Sequence, residues 1–179
     1  MKNCLSRRII KGGKRSPIED KRSLCQEGRA LPIAETSLFT MGFAGKSAEE
    51  FFHLLRQAGV RRVIDVRLNN VSQLAGFTKK RDLEFFLREI AAIEYMHRPD
   101  LAPSKEILDD YKKKRIDWPE YEERFQDLLR ERRPEDSGTP AQFDHACLLC
   151  SEAEPAKCHR RLLAEHLSRC WDDVTIRHL

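Results

Sequence analysis

Five short apolar runs, the first four each followed by a stretch of helical periodicity, constrain this chain more than any other feature. "SLFTMGF", "VRRVIDVRL", "IEYMH", "FDHACLLC" and "DVTIRHL" are long enough for buried strands and too short for helices. Between them, "SAEEFFHLLRQAG" puts Phe51, Leu54, Leu55 and Ala58 on one face, and "RDLEFFLREIAA" does the same with Leu83, Phe86, Leu87 and Ile90. Two further helices, "SKEILDDYKKK" and "PEYEERFQDLLRER", follow the third run, with Tyr121, Phe125, Leu128 and Leu129 turned inward. "RRPEDSGTPAQ" reads as a turn-rich linker, and "PAKCHRRLLAEHLSRC" as a last helix opened by Pro155. Strand and helix alternate, so the fold class expected is α/β: three layers, with a mainly parallel sheet of about five strands flanked by helices.

Charge divides the chain. Residues 1–30 hold nine Lys/Arg against three Asp/Glu, about +6 of a total of +4, which leaves the rest near −2. Residues 1–34 lack apolar periodicity and are expected to be a basic flexible extension, with 35–179 a single α/β domain. The extension is expected to be a solvated tail, with contact to nucleic acid through its charge as the alternative. No run approaches the roughly 18 apolar residues of a membrane span, and the leader lacks the apolar core of a secretory signal. A cytoplasmic setting without membrane contact is therefore expected, and the six cysteines are read as reduced thiols.

Ligands of such sheets collect beyond the carboxyl ends of the strands. "GFAGKS" after the first run is a turn rather than a phosphate loop, because two residues, not four, separate Gly42 from Gly45. Ser47 with Glu50 caps the helix that follows. Asp65 and Arg67 share a face at the end of the second strand. Arg67 is expected to reach an anion, with Asp65 beside it or anchoring a helix start. His97 ends the third strand at the ligand edge.

After the fourth strand comes "CSEAEPAKCHRR". Cys147 and Cys150 point to opposite faces of a strand and cannot share a metal, so Cys147 belongs in the core. Cys150, Glu152, Cys158 and His159 match none of the common zinc spacings. No cofactor or metal is expected, zinc being the minor alternative. With Pro155 opening the helix, Cys158, His159 and Arg160 fall in its first turns, where free N–H groups and the helix dipole favour negative charge. Arg160 is then an anion clamp and Cys158 a nucleophile, with His159 as base or orienting donor. Against this stands plain architecture: Cys158 packed on the sheet and Arg160 solvated.

"TMGFAGKSAEEFF", "VIDVRLNNVSQLAGF", "EYMHRPDLAPSKEILDDYKK", "DWPEYEERF" and "LLCSEAEPAKCHRRLLAEHL" together resemble the bacterial and archaeal family called domain of unknown function 488, over about residues 37–179. Cys158-His159-Arg160, preceded by Cys150-x-Glu152, carries the resemblance most specifically, and Asp65-Val66-Arg67 is a second match. Two departures mark this chain: "DLAPSKEILDDY" stands where many members have a glycine-rich segment, and Phe43 where many have histidine. The resemblance implies an α/β fold and a set of pocket residues, with no established reaction.

Residues and resemblance lead to one expected crevice. Cys158, His159, Glu152 and His97 are its catalytic candidates; Arg67, Arg160, Asp65 and Cys150 are its binding candidates. The leading expectation is a small enzyme or ligand-handling domain for an anionic small molecule or nucleotide-derived ligand. The alternatives are a nucleic-acid-associated module and a noncatalytic interaction domain.

Overall fold

The computed structural model describes residues 35–71 and 76–179. The basic extension assigned to residues 1–34, and any nucleic-acid contact made through it, lies outside the described residues. Five strands, β1 (Thr36–Gly42), β2 (Arg62–Asp65), β3 (Glu94–His97), β4 (Ala146–Cys150) and β5 (Val174–His178), form one sheet in the order β3-β2-β4-β1-β5. Every pairing is parallel. The helices are α1 (Ala48–Gln57), α2 (Lys80–Phe86), α3 (Lys105–Lys112), α4 (Trp118–Arg132), the short α5 (Pro140–Phe143) and α6 (His159–Cys170). Among the described residues no helix is long and apolar enough to cross a membrane.

The strand order dictates the layers. Connections from β1 to β2 and β2 to β3 run toward one edge, whereas those from β3 to β4 and β4 to β5 run toward the other. Right-handed crossovers then put the first pair's helices on one face and the second pair's on the opposite face. The two cores agree. Phe39, Met41, Val63, Cys147 and Leu149 bury with Phe51, Leu55 and Leu83 of α1 and α2. Their alternates Leu38, Ile64, Ala146 and Leu148 bury with Tyr121, Phe125, Leu162 and Leu163 of α4 and α6. Each fully buried Leu or Phe contributes about 1.5–3 kcal/mol, which makes the two-sided sheet the dominant source of stability.

Local chemistry sets the boundaries. Ser47 Oγ accepts from Glu50 N at 3.1 Å and starts α1; Asp117 Oδ1 does the same for Glu120 N at 3.0 Å and starts α4. The helix begun by α2 continues as a π-turn over Leu87–Ala91. That wider turn rotates Ile90 off the stripe expected for it, and Ile90 is exposed while Leu83 and Leu87 are buried. The linker expected over 132–142 is more regular than that, holding a 3₁₀ turn (Pro134–Ser137) and α5, which takes in Phe143 so that the fourth strand starts only at Ala146.

One boundary matters for the site. Pro155 does not open α6; residues 151–157 form a loop, and Cys158 is the N-cap with no capping bond from its side chain. The reason is local: the loop is tied down by Arg160 and the thiol of Cys158 is engaged elsewhere, as described next.

Candidate functional site

β4 lies between β1 and β2, and both neighbours send their chains to the layer opposite the one β4 feeds. The carboxyl end of β4 is thus the place where the sheet opens. The strands stay zipped beyond their formal ends: Phe43 N donates to Cys150 O at 3.3 Å, Ala44 N to Ser151 O at 3.0 Å and Val66 N to Leu149 O at 3.1 Å. Cys147 faces the α1/α2 layer and Cys150 the α4/α6 layer, the opposed directions that period-two alternation requires. Full burial pushes the Cys147 thiol up to about 12, so it stays protonated in the core.

The loop after Cys150 passes directly over β1. At Gly42 a Cβ would stand 1.6 Å from Glu152 O, so only glycine lets the two backbones meet. Arg160 holds the loop from the other side. Its side chain is fully buried, Nη1 donating to Glu152 O at 2.6 Å and Nη2 to Ala153 O at 2.9 Å. Among the described residues its Nε is buried without a partner, and no carboxylate pairs with it. A buried guanidinium without an acidic partner is costly unless some other negative charge answers it.

Two thiols and an imidazole gather at the start of the same helix. The thiols of Cys150 and Cys158 and a ring nitrogen of His159 lie within 4.8 Å of one another, all buried. The hydrogen bond from Cys158 is the main influence holding the Cys150 thiol below its usual range, with the amides of Glu152 and Ser151 and the charge of Arg160 adding to it against burial. The same hydrogen bond, together with burial, pushes the Cys158 thiol well up. His159 Nε2 stands 3.0 Å from Val66 O, which fixes the hydrogen on that nitrogen, and Nδ1 is left 3.7 Å from Cys150 Sγ. Burial keeps the imidazole below its ordinary range, hence neutral. Its ring packs edge-on against Phe125 at 6.1 Å.

The other binding candidates sit in the α1/α2 layer. Arg67 grips Asp65 through Nε–Oδ1 at 2.7 Å and Nη2–Oδ2 at 2.6 Å, both side chains being buried. Arg67 Nη2 also donates to Thr78 O at 2.9 Å, and the guanidinium lies 5.0 Å over the ring of Phe43. Tyr95 donates to Asp65 at 2.8 Å, and Asn70 to the Tyr95 oxygen at 2.9 Å. Burial, then the negative charge of Asp65, pushes the Tyr95 phenol up.

The structure thus brings Cys150, Cys158 and His159 together, with Arg160 holding the loop between them and Glu152 exposed on that loop. Asp65 and Arg67 form a second group across the sheet edge. The exit of β2 connects the two, because Val66 O takes His159 and Arg67 O takes His97 Nε2 at 2.9 Å. Three residues escaped the sequence reading. Tyr95 shares a strand face with His97 two positions on, a signal that was there to use. Asn70 had none. Tyr121 was expected only as core, yet its phenol is pushed up by burial and then by the Cys150 sulfur.

In chemical terms the arrangement is a thiol, a neutral imidazole and a carbonyl in sequence, beside a second thiol and a buried cation. The same two sulfurs and nitrogen are also donors that a soft metal accepts. No curated protein and no solved structure matches the chain. The family model described as Domain of unknown function DUF488 matches residues 47–167, well over half of the chain and spanning both groups of side chains, and the protein belongs to that family.

Proposed function

We propose that this domain is a small thiol-dependent enzyme or ligand-handling protein whose working nucleophile is Cys150. The observation that carries the reading is the contact of Cys150 Sγ with His159 Nδ1 at 3.7 Å, the ring nitrogen left free by Val66 O, with the fully buried Arg160, which has no carboxylate partner among the described residues, close by. In this reading the anion that the Arg160 site holds is first of all the thiolate of Cys150. The nucleophile assigned from sequence to Cys158 moves to Cys150, and Cys158 becomes the donor that steadies it.

The roles of the others follow from contacts. His159 orients the nucleophile: with Nε2–H engaged by Val66 O, Nδ1 faces Cys150 Sγ at 3.7 Å and accepts the thiol hydrogen when the sulfur is protonated. Arg160 positions the loop so that the Ser151 and Glu152 amides serve the sulfur. Glu152 is exposed where a ligand would arrive and is placed for proton transfer to it. The ligand class is a small electrophile, small because Cys150 is 3 % exposed. Asp65, Arg67 and His97 support this edge from the far side of β2.

The test is alkylation of the folded protein by a small neutral reagent over a pH series, with modified cysteines assigned by mass spectrometry. The reading expects Cys150 to be modified at lower pH than any other buried thiol. Arg160→Lys should move its profile up and His159→Gln should slow it. A Cys150 that reacts no earlier than Cys158 refutes the assignment. Tight zinc uptake that shields both thiols replaces it with a metal centre.

A further inference from the structure

The far end of α6 holds a second cluster that the site above does not use. Glu135, His166 and Cys170 present a carboxylate oxygen, a ring nitrogen and a thiol within 4.8 Å of one another. His166 and Cys170 are four residues apart on α6, so they share one helix face a turn apart. Glu135 comes from the 3₁₀ turn Pro134–Ser137, on a different element. Cys170 lies eleven residues beyond His159, about 16 Å along the helix axis, which separates this cluster from the Cys150 site.

His166 Nε2 is the hinge of the group, 2.9 Å from Glu135 Oε2 and 3.7 Å from Cys170 Sγ. The other carboxylate oxygen, Oε1, faces Arg133 Nε at 3.9 Å, and that arginine is held more closely by Asp136 at 2.8 Å. Oε2 is therefore the oxygen directed at the imidazole. A tetrahedral ion with metal–sulfur and metal–nitrogen bonds of about 2.3 and 2.05 Å separates sulfur from nitrogen by about 3.6 Å, and nitrogen from oxygen by about 3.4 Å. The sulfur–nitrogen edge is already at that spacing, and the oxygen–nitrogen edge needs only to open from a hydrogen bond to a shared ion.

We propose that Glu135, His166 and Cys170 form a binding site for a borderline-soft divalent cation, of which zinc is the closest fit. Thiolate, imidazole and carboxylate together suit zinc and disfavour magnesium or calcium, which prefer oxygen alone. His166 is buried and held by the helix, whereas Cys170 is exposed. The ion enters from solvent and keeps its fourth position open to water. Bound there, it joins the turn after α4 to the last turn of α6.

The experiment uses the full chain with Cys150→Ser and Cys158→Ser, which removes the other sulfur-rich cluster, and cobalt(II) as the probe. Tetrahedral cobalt bound through sulfur gives a thiolate charge-transfer band and intense visible transitions. The proposal expects this spectrum, displaced by zinc, and its loss on adding Cys170→Ser, an exposed change that leaves the fold intact. His166→Gln and Glu135→Gln should each weaken zinc binding by at least about 100-fold, since losing even an outer partner of a ligand costs about 10–100-fold. A cobalt spectrum unchanged by Cys170→Ser overturns the proposal. So does an absence of the thiolate band in the Cys150→Ser/Cys158→Ser chain.

Discussion

Replacing Gly42 by alanine tests whether the loop over β1 is as tightly seated as the structure has it. The added Cβ would lie 1.6 Å from Glu152 O, 2.6 Å from Glu152 C and 3.0 Å from Arg160 Nη1. Backbone cannot rotate away as a side chain can, so the loop must lift. Overpacking of this kind costs about 1–3 kcal/mol. Lifting Glu152 also breaks its 2.6 Å bond from Arg160, and a hydrogen bond to a charged group contributes about 1.5–3 kcal/mol. Together the loss is about 2.5–6 kcal/mol. With a urea dependence of about 2 kcal/mol per molar, the unfolding midpoint should fall by about 1.2–3 M.

Gly45→Ala is the control that separates crowding from backbone preference. Gly45 has φ of +79° and nothing within 4 Å of an added Cβ, so the left-handed conformation alone costs about 1–2 kcal/mol. Gly42→Ala should therefore be clearly the worse of the two and should raise the Cys150 thiol, because the amides of Ser151 and Glu152 move with the loop. Equal midpoints for the two variants refute the seating of the loop, and with it the role given to Arg160.

Two more outcomes are expected. Asp65→Asn leaves the buried Arg67 without its counter-charge and should cost about 3–5 kcal/mol; Asp65→Leu with Arg67→Met should recover much of it, and a loss under about 1 kcal/mol for Asp65→Asn in denaturant unfolding would contradict the pair's burial. Asp100 is held below the usual carboxylate range chiefly by its hydrogen bonds from Arg98. Its contribution is full above the unfolded value of about 3.9 and fades as pH falls through the lower folded value. Asp100→Asn should thus lose less than about 1 kcal/mol near neutrality, and its unfolding curve should merge with the parent's in acid.

Much of the architecture was written in periodicity. The runs for β1, β2 and β4 became strands buried on both faces, which must be apolar along their length, while the runs for β3 and β5 became the two partly exposed edges. What periodicity could not supply was any feature set by another part of the chain. Ile90 fits a regular stripe on paper, but a π-turn inserts a residue and moves it outward. Pro155 has the right chemistry to open a helix, yet Arg160 and Gly42 fix the preceding loop and the helix waits until Cys158.

The site divides in the same way. The density of Cys, His and Arg at 150–161 marked the place, and alternation along β4 told Cys150 from Cys147. Where Arg160 points was not legible, because an arginine at a helix start serves equally for solvent, for a ligand or for two carbonyls of its own loop. Val66 was silent for a different reason: it acts through a backbone oxygen, which no side-chain pattern announces.

The central claim is that the surroundings of Cys150, with Cys158, the loop amides and the buried Arg160 among them, favour its thiolate. The ultraviolet absorbance of the thiolate, followed through a pH titration of the whole chain and of Cys150→Ser, isolates that one sulfur by difference. The account predicts a difference curve whose midpoint lies below the ordinary cysteine value of about 8.5 and which moves upward with Arg160→Lys. A difference curve centred at or above that value, unmoved by the lysine, would contradict it.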